Sequence, residues 1–141
     1  MKPPPLVDPD QPLSDGHRIT LPFPMARRVE GNSIVFWHTP MGLTYWIRSL
    51  ERLNQDDPIE RWQDVKPLDA YDEIVERDDK VTRYGFRLKE KSADGRQAAL
   101  YGFVAGAARE VWITAYFDEE EAFPAVIETW RSIRPAGPRL N

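Results

Sequence analysis

The chain has 141 residues, 19 Lys or Arg against 23 Asp or Glu for a net charge of −4, and no cysteine. That length suits one domain able to bury about two thirds of its unfolded surface. The missing cysteines exclude disulfides, thiolate metal sites and cysteine nucleophiles, and an acidic balance argues against nucleic acid, whose phosphates select basic stripes.

Residues 1–16 carry Pro3, Pro4, Pro5, Pro9 and Pro12 with few bulky apolar side chains, so a flexible proline-rich arm is expected before a single domain over 17–135 and a tail at 136–141. The start Met1-Lys2-Pro3-Pro4-Pro5 lacks the apolar run of a signal peptide, and no stretch reaches the roughly 20 apolar residues of a membrane span. A cytoplasmic protein is therefore expected.

Ile19, Leu21 and Phe23 alternate as in a short edge strand that Pro22 limits. Gly31-Asn32 separates Arg28-Val29 from the β-branched and aromatic run Ile34 to Trp37, which predicts a tight hairpin. After the turn at Thr39 to Gly42, Leu43, Tyr45 and Ile47 alternate with Thr44, Trp46 and Arg48, completing a first meander.

Residues 51–80 hold 11 acidic against 5 basic side chains. Within them Asp57-Pro58-Ile59-Glu60 has the N-cap and N1 chemistry of a short helix anchored by Ile59, Trp62 and Val65. Tyr71 to Arg77 reads as a strand or, equally, a helical turn.

From Val81 to Lys91, Thr82, Tyr84, Phe86 and Leu88 alternate with Arg83, Arg87 and Lys89, predicting a strand with one core face and one basic, wet face. Ser92 to Gly95 supplies a turn, and Gln97 to Ala105 and Glu110 to Phe117 follow as strands apolar on both sides. The second of these offers Val111, Ile113, Ala115 and Phe117 on one side and Trp112, Thr114 and Tyr116 on the other. Such a sheet buries its second face against a loop, a second protomer or a ligand. Asp118 is placed to cap a helix that starts near Pro124, with Phe123, Ile127, Trp130 and Ile133 as its apolar stripe and Pro135 with Gly137 as its stop. The predicted fold is α+β: an antiparallel β-meander sheet packed against a C-terminal amphipathic helix, with a short mid-chain helix.

Two histidines, His17 and His38, are too few for a three-histidine zinc site, and no serine sits in a nucleophile elbow. No glycine-rich run has a lysine at phosphate-loop spacing, and the acids of 51–80 lack the Asp-x-Asp-x-Asp-Gly spacing of a calcium loop. Neither a catalytic residue, a metal site nor a cofactor is expected. Charge is more informative, since 81–109 holds six basic against two acidic residues. Arg83, Arg87 and Lys89 on one strand face, with Trp46 beside Arg48 as an aromatic anchor, make the candidate docking surface. On that reading, Trp46→Ala with Arg87→Glu abolishes partner capture and leaves the melting temperature nearly unchanged.

The stretches Tyr84-Gly85-Phe86-Arg87-Leu88, Tyr101-Gly102-Phe103-Val104, Val111-Trp112-Ile113-Thr114 and Trp130-Arg131-Ser132-Ile133, in this order of elements, resemble the Mog1/PsbP/DcrB-like group of small α/β proteins over about 110 residues. The resemblance implies a non-enzymatic binding protein, a class that includes accessory chaperones of bacterial secretion effectors, and carries over no active-site residue. The expected function is thus a non-catalytic protein-interaction domain with a protein partner, a homodimer being left open. Two alternatives stand beside it. One is an immunity protein that blocks a toxin with the acidic segment. The other is a small-ligand binder or enzyme with a pocket between sheet and helix, where Arg87, Tyr101 and Tyr116 would converge.

Overall fold

The structure is a computed structural model that describes residues 4–13, 16–52, 56–90 and 98–136. The expected turn at Ser92 to Gly95 and the stop at Gly137 lie outside these. The strands are β1 (Leu6–Val7), β2 (Asp10–Pro12), β3 (His17–Thr20), β4 (Met25–Glu30), β5 (Ser33–His38) and β6 (Leu43–Glu51). After helix α1 (Ile59–Asp64) come β7 (Tyr71–Arg77), β8 (Thr82–Lys89), β9 (Ala98–Ala105) and β10 (Arg109–Phe117), then helix α2 (Phe123–Arg131) and β11 (Arg134–Pro135). No helix among the described residues is long and apolar enough to cross a membrane.

Eight strands form one antiparallel sheet in the order β1-β4-β5-β6-β10-β9-β8-β7. The two predicted meanders are therefore halves of one sheet, joined where Ile47 of β6 faces Ile113 of β10. The β4–β5 hairpin forms where predicted because Gly31 takes φ +60°, a left-handed conformation costly to a residue with a Cβ. Segment 71–77 is a strand, bulged between Tyr71 and Ile74. It closes one edge of the sheet with charged residues, a composition that discourages edge pairing.

Part of the proline-rich segment is built into the fold: β1 pairs with β4, while β2, β3 and β11 make a second, three-stranded sheet. The predicted strand around Ile19 is thus in this small sheet, ending before Pro22, whose ring has no N–H to donate.

One face of the large sheet is covered by α2 and the small sheet, with Ile19, Met25, Phe36, Tyr45, Leu100, Val126, Trp130 and Ile133 in the shared core. The chain enters α2 through a 3-10 turn, Glu120–Ala122, after which Pro124 falls within the first turn, where a missing N–H costs nothing. Asp118 is not the N-cap; its own N–H donates to the Gly42 carbonyl at 3.2 Å, which fixes the exit from β10 instead. The buried stripe of the helix is Val126, Thr129 and Trp130, continued by Ile133 just past its end, with Phe123 and Ile127 only partly buried. Thr129 enters this stripe because its hydroxyl accepts from Tyr45 Oη at 3.0 Å and donates to the Ala125 carbonyl at 2.7 Å, leaving no polar atom stranded.

Among the described residues, the other face is covered only at its β8–β9 side. There α1 lays Ile59 and Trp62 on Tyr84, Phe86 and Phe103, with the Trp62 and Phe103 rings 5.3 Å apart. Asp57 helps start α1, its carboxylate accepting from the Ile59 N–H at 3.2 Å.

This arrangement corrects the expected wet basic face. Arg83 and Arg87 face α2, since their register partners Val104 and Leu100 belong to the α2-side core. Arg87 is 7% exposed. Its guanidinium lies 4.0 Å from the Phe123 ring and bonds Glu120 at 2.5 Å. Arg83 is covered too, bonding Asp78 at 3.1 Å and the Arg131 carbonyl at 3.1 Å. Long arginine stems pack against apolar rings while their heads find carboxylates at the rim. Alternation on the strand therefore marks two buried faces.

Candidate functional site

The half of the second face that no described element covers is centred on Thr114 in β10. Register places Trp46 of β6 on one side of it and Tyr101 of β9 on the other. Trp112 and Tyr116, two residues away along β10, share its face because side chains alternate along a strand. All five are half-buried. A small side chain flanked by four aromatic ones makes a depression with aromatic walls. A cavity of about 330 Å³ continues from Thr114 and Trp112 over Phe86, Leu88 and Phe103 to Val65 and Pro67, just beyond α1. Its end beyond α1 is apolar as well, formed by Pro67 and by Val65, which is 57% exposed.

Hydrogen bonds fix these walls. Tyr101 Oη donates to Glu90 Oε1 at 2.5 Å, and the Tyr101 ring stacks on Phe86 at 5.4 Å. Burial, reinforced by the bond to Glu90, holds the Tyr101 phenol well above its ordinary pKa, and burial does the same for Tyr116. Both stay neutral donors and are poorly suited to act as phenolate bases. On the opposite flank, Arg28 lies over the rings of Trp37 and Trp46, at 5.1 and 5.6 Å.

The far wall depends on Glu110, which is 4% exposed. It accepts from Trp112 Nε1 at 2.9 Å, from Trp62 Nε1 at 3.4 Å and from the Arg61 guanidinium. Burial alone would raise its pKa, but the bonds from Arg61, Trp112 and Trp62, with the charge of Arg61, outweigh it and set the carboxyl below its ordinary value. One carboxylate thus ties α1 and the Trp112 wall to the sheet. Glu110→Ala is expected to destabilise the protein by about 3 kcal/mol, because two indole N–H groups and a guanidinium lose their acceptor. The sign with pH follows from the lowered pKa: the contribution is present above the ordinary carboxylate value and is lost as pH falls through the folded value. Urea unfolding from neutral to acid pH should show wild type losing its advantage over Glu110→Ala at the acid end; a constant gap would refute the linkage.

Of the expected site residues, Trp46 is a wall of the cleft. Arg48 is exposed and is the register partner of Trp112, and Lys89 is exposed at the end of β8. Arg83 and Arg87 lie on the opposite face, so the five do not form one surface. Tyr101 and Tyr116 do converge, without Arg87, and the cavity lies between the sheet and the end of α1. Thr114, Glu90 and Glu110 were not among the expected site residues. The every-second-residue series Trp112, Thr114, Tyr116 carried the signal for the cleft, whereas nothing local shows that Glu90 and Glu110 brace its walls.

Compared with known proteins, the chain matches no family model, no curated protein and no solved structure.

Proposed function

We propose that this chain is a non-catalytic protein-interaction domain, an accessory chaperone or adaptor acting in the cytoplasm, and that the aromatic cleft around Thr114 receives an apolar segment of its partner. The carrying observation is the half-buried quartet Trp46, Tyr101, Trp112 and Tyr116 around that threonine. Large aromatic side chains at the rim of a mainly apolar depression are what interface hot spots use. Polar groups at the cleft, Glu90 and Glu110, are already engaged by tyrosine, tryptophan and arginine donors. They brace the walls, which favours binding over chemistry.

The immunity alternative is less well supported, because the acidic segment spends charge inside the domain: Asp57 pairs with Arg77, Glu73 with Lys66, Glu76 with Arg131 and Asp78 with Arg83. A small-ligand site remains a second reading, favoured by a cavity of about 330 Å³, a size within the range of small-molecule pockets.

Thr114→Phe fills the floor of the depression without touching the α2-side core. Capture of a partner from native cells should be stoichiometric with wild type and lost with Thr114→Phe and Trp46→Ala, with cross-links mapping to 101–116. Retained capture by both variants would refute the cleft as the docking site. A co-purifying small molecule displaced by Thr114→Phe would move the reading to the ligand alternative.

A further inference from the structure

The cavity of about 330 Å³ beside Thr114 has aromatic walls in Phe86, Tyr101, Phe103 and Trp112, and its described lining residues include one carboxylate, Glu90, and no Lys or Arg. Glu90 follows Tyr84, Phe86 and Leu88 at every second position and so joins their face of the sheet. It is half-buried and held by the Tyr101 hydroxyl, which donates to Oε1 at 2.5 Å. A tyrosine is a neutral donor. Its bond orients the carboxylate without supplying a counter-charge, and the second oxygen still has room for a donor.

Elsewhere among the described residues, where an aromatic ring and a carboxylate come together in this way, the chain fills the space with its own arginine. Arg28 lies over Trp37 and Trp46 and holds Glu30, Arg61 lies over Trp62 and holds Glu110, and Arg87 lies over Phe123 and holds Glu120. A cation between a π face and a carboxylate is attracted by both. At the Glu90 end of the cavity the Tyr101 and Phe86 rings stack 5.4 Å apart, and among the described residues no Lys or Arg lies over either ring or pairs with Glu90. Arg28 and Arg48, which share this face, are separated from β8 and Glu90 by β10 and β9. The same construction is present here without its cation.

We propose that this end of the cavity takes a lysine side chain carried by the apolar segment that the cleft receives, an inference that rests on the docking reading above. Lysine fits better than arginine because Glu90 Oε1 already accepts from Tyr101. A guanidinium fork would have to share that oxygen, whereas an ammonium needs only the free one. The methylene stem then lies along Phe86 and Leu88, as long cationic side chains bury their stems on apolar surface.

The test is an amide chemical-shift titration at neutral pH and low salt with n-hexylammonium, which stands in for the lysine side chain, and separately with n-hexanol, its uncharged counterpart. Hexylammonium should give saturating shifts at Tyr101, Trp112 and Thr114 and bind about tenfold more tightly than hexanol, the advantage of a charge-assisted bond over a neutral one. Glu90→Gln keeps an acceptor for Tyr101 and should abolish that advantage without changing hexanol binding. Glu128→Gln, which removes the same charge from the exposed side of α2 behind the sheet, should change neither. Shifts that do not saturate, equal affinity of wild type for the two probes, or an advantage that survives Glu90→Gln would each overturn the assignment. Partner capture read in parallel separates this from the docking reading. Capture lost with Thr114→Phe but undiminished with Glu90→Gln would remove the lysine and leave the cleft. Capture kept with Thr114→Phe, alongside a Glu90-dependent preference for hexylammonium, would remove the docked segment and leave a site for a free alkylammonium compound.

Discussion

Gly102→Ala is expected to destabilise the protein by about 2 kcal/mol although it adds a single methyl group, because the space it would fill belongs to Trp130. Gly85 and Gly102 face each other across β8 and β9, and together they leave a slot in the sheet into which the Trp130 indole drops. A Cβ on Gly102 would stand 2.5 Å from Trp130 Cδ1 and 2.9 Å from Ile113 Cγ2. Trp130 is 0% exposed, so the ring has no free volume to retreat into. At Gly85 the nearest atom, Trp130 Cη2, is 3.2 Å away, tight but relievable by a few tenths of an ångström. Alanine there also restricts the unfolded chain, so Gly85→Ala is expected to lie within about 1 kcal/mol of wild type.

Emptying the slot is the larger effect. Trp130→Ala should cost about 4 kcal/mol, near the upper end for a buried aromatic residue. The two perturbations are coupled through one volume, so Gly102→Ala placed on Trp130→Ala should cost much less than on wild type. A double-mutant cycle in urea measures this directly. Strict additivity would mean that the glycine and the indole do not compete for the slot.

How much of this was legible in the sequence differs by element. Strand positions follow from alternation and turn chemistry, which act locally: Gly31-Asn32 specifies its own hairpin, and Ile34 to Trp37 can scarcely be anything but a strand. The union of the two meanders through β6 and β10 is not local. Each strand carries an apolar set on its core side, and nothing in either one names its neighbour. Trp130 was readable as core, but the glycine pair that admits it was not, since Gly85 and Gly102 are separated by a hairpin and matter only once register aligns them. The cleft was half legible. Two apolar sets on one strand imply a second buried or binding face, and Trp112, Thr114 and Tyr116 supply it. The arginines of β8 misled because alternation separates polar from apolar sets without saying that the polar set is wet.

Arg87→Glu is therefore expected to lower stability by about 4 kcal/mol, not to leave the melting temperature unchanged as a surface reading requires. The native guanidinium rests on the Phe123 ring and lies 5.6 Å from the Phe117 centroid and 5.3 Å from that of Tyr71. Glu120 and Asp72 supply its counter-charge at 2.5 and 3.7 Å. Glutamate would remove the cation–π contacts and bring a third carboxylate, itself in a position only 8% exposed, beside two existing ones. Arg87→Met separates these contributions. Methionine keeps the apolar stem against Phe123 and leaves Glu120 and Asp72 to solvent, where they are already more than half exposed, so its cost should stay near 1 kcal/mol. For a chain of this length the difference corresponds to a gap in melting temperature on the order of 10 °C, readable by thermal unfolding. Should Arg87→Glu melt with wild type, Arg87 is solvated and belongs to a docking surface after all. If the two variants fall equally far, the packing of the stem rather than the charge is what α2 rests on. Partner capture by Arg87→Met then isolates the functional question, because a residue sealed under α2 cannot touch a partner that binds at Thr114 on the opposite face of the sheet.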